Sequence, residues 1–180
     1  LTIYENVFET SEISFDDEWE EMSGYVNDAL LMIENLRDGF GVKNRKNLPY
    51  APTIPIVAAL LREISEQANP VECNKKLDNW YWSVVFGMAF SGGVDSQLTK
   101  DFTEMLEWFK DDEKIPSIVT KIRNEFHATI HLKDVQTTSN AIFRGIMSLI
   151  ALKGGIDFNT NKTLENAREN DKHHIFPKAA

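Results

Sequence analysis

The sequence has only one cysteine, Cys73, which excludes an internal disulfide and any cysteine-based zinc cluster. It contains no apolar run of the roughly 20 residues that a membrane-spanning helix needs. Nor does a charged stretch followed by an apolar one open it as a secretory leader would. These absences fit a reducing setting, and a cytoplasmic protein without membrane contact is expected. Glycine and proline are sparse, nine and six in 180 residues, which excludes collagen-like and low-complexity chains and leaves room for long helices. Positive charge is short as well. Nineteen Lys and Arg against 28 Asp and Glu leave a formal net charge of −9, and such a surface repels phosphate at long range. Unaided nucleic-acid binding is therefore disfavoured, and positive charge would have to come from further domains. The chain opens LTIYENVFE, without Met, and is expected to be a piece of a longer protein.

What is present is a globular composition, 42% apolar and 26% charged, over a length that suits one core. Helical periods dominate. Ser14 with Asp17 resembles a capping box, and Trp19, Met22, Val26, Ala29, Leu30 and Ile33 recur at helical spacing until Gly39 and Gly41. A second helix is expected from Thr53, with Pro55 in its first turn. Leu77, Trp80, Tyr81, Val84, Val85 and Met88 share one helical face in a third. A fourth should open at Asp95 or Ser96 and turn Leu98, Phe102, Met105, Leu106 and Phe109 inward. A fifth starts at Pro116–Ser117, and a sixth is capped by Ser139 and ended by Gly154 and Gly155. The pattern predicts an all-α multi-helix bundle over residues 1–168, followed by a short extended C-terminal segment over 169–180.

Two short stretches carry chemistry. The first, SGGVDS (Ser91, Gly92, Gly93, Val94, Asp95, Ser96), spells the pyrophosphate loop of enzymes that adenylate with ATP. That loop needs a buried strand ahead of it, so that its amides cradle phosphate at the next helix N-terminus. The apolar segment before it is too long for such a strand and has helical period. The alternative is an interhelical turn, with Asp95 or Ser96 capping the next helix.

The second stretch is ENDKHHIFPKA, which includes Asp171, Lys172, His173, His174, Ile175, Phe176 and Pro177. It resembles the opening strand of the ββα-metal nuclease motif called HNH, commonly [D/E/H]-H-[I/V]-x-P. Phosphodiester hydrolysis needs a base to take a proton from water and a divalent cation to stabilise developing charge, and a neutral imidazole can be that base near pH 7. The resemblance implies that His174 is the general base and His173 a metal ligand. Neighbouring residues on a strand point to opposite faces, so both rings serve one site only if the strand begins or bends there. The alternative is a polar tail with two solvated histidines.

The two stretches together resemble the C-terminal part of GmrSD-like restriction proteins. WYWSVVFGMAFSGGVDSQLTKDF is similar to that family's Trp-rich helix, small-residue turn and Asp-containing helix, through Leu77, Trp80, Trp82, Ser91, Asp95 and Asp101. HHIFPK is similar to its nuclease opening. The likeness spans roughly residues 50 to 180, and it makes SGGVDS the turn of the helical region. It departs from the pattern at Ala89 and Phe90, where Arg and Tyr are expected. The resemblance implies a prokaryotic phage-defence protein whose N-terminal nucleotidase domain gates a DNA-cleaving HNH nuclease, with Mg²⁺ or a similar ion as cofactor. DNA would be the partner of the intact protein, together with the nucleotidase domain of the same chain. An HNH site also needs a later Asn and a closing His or Asn that are not reached by Ala180. The stretch is therefore expected to hold the first third of a site and to be inactive alone. A non-catalytic helical interaction module and an ATP-pyrophosphatase-loop enzyme are the alternatives from other classes.

Three further features are weighed. His127 and His131 (HATIH) fall on one side of either a helix or a strand and could bind zinc with Glu125 or Asp134, although ATIHL (residues 128–132) is the best strand candidate. Trp19, Trp80, Trp82 and Trp108 read as core rather than as a base-stacking platform, because no basic residues interleave with them. Asn44-Arg45-Lys46 and Lys75-Lys76 are the dense positive spots; they could touch phosphate or simply be solvated.

Overall fold

In a computed structural model the described residues are 14–90, 93–129, 135, 137–157 and 161–163. They form six α-helices and one short 3₁₀ turn: α1 Phe15–Glu34, the turn Arg45–Asn47, α2 Thr53–Ser65, α3 Pro70–Phe86, α4 Val94–Lys110, α5 Ser117–Thr129 and α6 Ala141–Leu152. Among the described residues the only β pairing is one isolated antiparallel bridge, Ile156 to Thr163. The fold is the all-α bundle that the periodicity predicts. The segment 169–180 lies outside the described residues.

Local chemistry explains the helix starts. The Ser14 hydroxyl accepts from the Asp17 amide at 3.2 Å and donates to its carboxylate at 2.9 Å, while Asp16, Asp17 and Glu18 put negative charge on the first turn. Asn69 caps α3 through the Glu72 amide, with Pro70 at the first helical position, so this helix begins seven residues before the apolar stripe at Leu77. Two expected caps are corrected. Helix α4 opens at Val94, because the Ser96 hydroxyl donates back to the Gly93 carbonyl at 3.0 Å instead of capping. Asn140, not Ser139, caps α6, accepting from the Ile142 amide at 2.8 Å. Of the strand candidate ATIHL, Ala128 and Thr129 instead end α5, and residues 130–132 lie outside the described ones.

Helix α3 is the axis of the bundle. It packs against α2, α4, α5 and α6, while α1 lies mainly on α2. Leu77, Trp80, Tyr81, Val84 and Val85 have essentially no exposed surface. A helix surrounded in this way buries a wide face: nine of its residues are buried, while Lys75, Asp78 and Asn79 keep one side polar and exposed. Met88, expected on the same face, lies beyond the helix end in a turn with φ 49° and is exposed. Helix α1 is tied to α2 by the Arg62 guanidinium, which pairs with Glu18 and Glu21, and by a 3.0 Å hydrogen bond between Tyr25 Oη and Ser65 Oγ. After α1 the chain doubles back: the Phe40 amide donates to Met32 O and the Val42 amide to Ile33 O, both at 3.0 Å. This carries the Phe40 ring onto Tyr81 with centroids 3.6 Å apart. Gly41, at φ +69°, lies against α6, where a Cβ would stand 2.6 Å from Ser148 O and from Leu152 Cγ.

Candidate functional site

His173 and His174 lie outside the described residues, as do Ser91, Gly92, His131 and Asp134. His127 falls on α5. Among the described residues, no group of three His, Cys, Asp or Glu side chains converges as a metal cage would. The strand that an ATP-pyrophosphate loop needs ahead of its glycines is a helix: α3 runs to Phe86 and a turn fills 87–90. Phe90, one departure from the family pattern, is buried edge-to-face on Tyr50 with centroids 5.4 Å apart. The tyrosine expected at this position would bring its hydroxyl into the core.

Two residues that carry the resemblance meet inside the bundle. Trp80 on α3 and Asp101 on α4 are both fully buried. Gln97 Nε2, one turn before Asp101, donates to its Oδ1 at 2.6 Å. The Trp80 indole N–H lies beside the carboxyl group, yet neither it nor Asp101 Oδ2 reaches a hydrogen bond of good geometry. Burial raises the Asp101 pKa, and the Gln97 and Trp80 donors offset only part of that rise. The native state therefore binds this proton more tightly than the unfolded chain. The contribution of this one group to stability is fully present below about pH 4, the ordinary aspartate range, and is lost as pH rises through the raised folded-state value. Asp101→Asn should flatten that part of the profile, read as urea midpoints between about pH 4 and pH 7. An unchanged slope in the variant would assign the titration to another group.

A groove of about 470 Å³ opens between α3 and α5, lined by Lys75, Asp78, Asn79, Trp82, Arg123 and Phe126 among others. Its floor is aromatic: Trp82 stacks on Phe86 with centroids 5.9 Å apart, and Phe86 meets Phe126 edge-on at 6.0 Å. Displacement of water raises the pKa of the Asp78 carboxyl in the groove wall. Cations, a carboxylate and ring faces thus line one groove. The thiol of Cys73 is buried with its pKa pushed up, which makes it inert as a nucleophile.

The tryptophans divide. Trp80 and Trp108 are core, as their spacing predicts, but Trp82 lines the groove between Lys75 and Arg123, and Trp19 is 66% exposed with Phe15 stacked on it. The two basic spots divide as well. Lys76 turns inward, its Nζ donating at 2.5 Å to both Trp108 O and Asp112 Oδ1 and lying 5.6 Å from the Trp108 ring centre. That fate was legible, because position 76 lies four residues before Trp80 and three after Cys73, on the apolar face. Asn44, Arg45 and Lys46 remain at the surface. Sequence reasoning missed three residues here: Lys43 beside that spot, and Asp78 and Arg123 in the groove. Arg123 had no sequence signal, because only the packing of α5 on α3 brings it there.

The chain is 31% identical over 131 residues to the uncharacterized protein MJ0686 of Methanocaldococcus jannaschii. The matched stretch is 72% of this chain and 22% of that protein, so the chain spans about a fifth of the relative's length. No family model matches the chain, and no solved structure does.

Proposed function

We propose that this chain is the helical unit ahead of an HNH nuclease in a GmrSD-like prokaryotic restriction protein, which in its intact form hydrolyses DNA phosphodiesters in the cytoplasm. The observation that carries the reading is the meeting of Trp80 and Asp101. The likeness rests on a Trp-rich helix, a small-residue turn and an Asp-bearing helix, and here α3 and α4 pack together with those two side chains buried side by side. A relative several times longer than the matched stretch suits a unit that works within a larger chain. In this reading the bundle is a rigid spacer between the nucleotidase domain and the nuclease. His174 takes the proton from the attacking water and His173 helps to hold the divalent cation. The cation supplies charge stabilisation at the phosphate.

The test is plasmid nicking with Mg²⁺ by the intact protein and by its His174→Ala variant. The variant should be slower by about 10²–10⁴-fold, the usual range for a lost general base, and chelation of the metal should silence both. Equal nicking by the two proteins removes His174 as the base and the nuclease reading with it. The groove between α3 and α5 favours a second reading, a non-catalytic module that docks a partner through Trp82 and Arg123. Absence of nicking by intact protein, together with loss of a bound partner in Trp82→Ala, would support that reading.

A further inference from the structure

We propose that the groove between α3 and α5 holds a small aromatic zwitterion, a ligand of the α-amino-acid kind. Its ring lies on the groove floor, its ammonium meets Asp78 and its carboxylate meets Arg123. Such a site stands without the nuclease reading, and it puts a small molecule where the second reading puts a protein partner. Each wall of the groove carries one charge and one ring a helical turn apart. On α3 these are Asp78 and Trp82, and on α5 they are Arg123 and Phe126. The charges stand at one end. The Trp108 ring, 5.6 Å from Lys76 Nζ, is also 6.0 Å from the Arg123 guanidinium, which sets Arg123 beside the stretch of α3 that bears Asp78. The rings fill the other end, where Trp82 stacks on Phe86 and Phe86 meets Phe126.

Asp78 and Arg123 line the same groove without pairing. Among the described residues neither side chain makes an ion pair or a hydrogen bond, and a ring 6.0 Å away holds a guanidinium only weakly. Lys75 is already paired with Glu72 at 3.0 Å. Burial lifts the pKa of Asp78, and a carboxyl stripped of water in this way gains most from a donor that carries positive charge. This pattern selects among occupants. A neutral ring would leave both charges unanswered. A ligand with negative charge alone, a nucleotide for example, would meet Asp78 in the same space and a chain of net charge −9 around it. A purely cationic ligand would meet Arg123. A molecule with both charges beside a ring answers all three features, and about 470 Å³ lies within the range of small-molecule sites.

The experiment titrates the 180-residue chain with L-phenylalanine, read by saturation-transfer NMR. Three comparators each lack one feature: phenethylamine the carboxylate, 3-phenylpropionate the ammonium and L-alanine the ring. L-Phenylalanine should bind saturably in the millimolar range or tighter, and the two singly charged analogues should bind at least about 10-fold more weakly. L-Alanine should bind about 2- to 10-fold more weakly. Asp78→Asn should weaken L-phenylalanine by about 10- to 100-fold and leave 3-phenylpropionate unchanged. Arg123→Gln should weaken it by as much and leave phenethylamine unchanged. Both positions are exposed on helix surfaces, and urea midpoints check that the variants remain folded. No saturable binding of L-phenylalanine, parent-like binding in either variant, or equal affinity for 3-phenylpropionate would each overturn the proposal. So would tighter binding of AMP that is lost in Arg123→Gln, or a protein partner held through Trp82 that saturating L-phenylalanine fails to displace. Plasmid nicking by the intact protein decides the nuclease reading whatever these titrations show.

Discussion

Trp80→Ala is expected to cost about 3–5 kcal/mol of stability, a large share of the 5–15 kcal/mol typical of a whole domain. Its indole has no exposed surface and stands where α3 meets α4. Truncation would open a cavity in the helix on which four others lean, and it would remove the N–H beside Asp101, leaving that buried carboxyl with Gln97 as its donor. Trp80→Phe keeps a ring and deletes the N–H, so it should recover more than half of the loss and isolate the polar part. Trp19→Ala is the control: the same residue type at 66% exposure should shift stability by no more than about 0.5 kcal/mol. Urea unfolding followed by circular dichroism measures all three. Similar losses at positions 19 and 80 would contradict this placement of the core.

Gly145→Leu should detach α6 from the bundle. A Cβ at this position would stand 2.6 Å from Val85 Cγ1, with the Phe86 ring at 3.5 and 3.6 Å. Val85 is fully buried and β-branched, so it has little rotameric freedom to give way. Alanine would meet a steric cost of about 1–3 kcal/mol, partly offset by its helix preference over glycine of about 1 kcal/mol. Leucine adds three more carbons with no space for them and no further propensity gain. Its loss should therefore reach or exceed the upper end of about 3 kcal/mol, seen as a lower melting temperature and early proteolysis within residues 141–152. A leucine variant as stable as the parent would show that α6 does not seat on α3.

The bundle was legible because helical period and capping chemistry are local. Ser14, Thr53 and Ser117 mark real starts. The boundaries that differ lie where a polar residue ahead of the apolar stripe sets the helix start. Asn69–Pro70 states the start of α3 better than Leu77 does, and Asn140 competes with Ser139 as the cap of α6. Met88 keeps the stripe's spacing but falls after Gly87, whose amide closes the last turn on Ser83 O at 2.8 Å. The groove was not legible, because α3 and α5 are brought together by packing and their facing residues lie some 40 positions apart in sequence. Lys43 was passed over for a related reason: sequence reports its charge but not that its ammonium would be enclosed and unpaired.

One run of rings joins the loop after α1 to the groove. Phe40, which anchors the basic loop, meets Trp82 edge-on at 6.2 Å, and from Trp82 the stack passes through Phe86 to Phe126 on the far wall of the groove. The indole of Trp82 is thus shared, one edge toward the loop's anchor and the other toward the groove. A ligand in the groove that tilted the Trp82 ring would therefore press, through a single side chain, on the residue that roots the loop after α1.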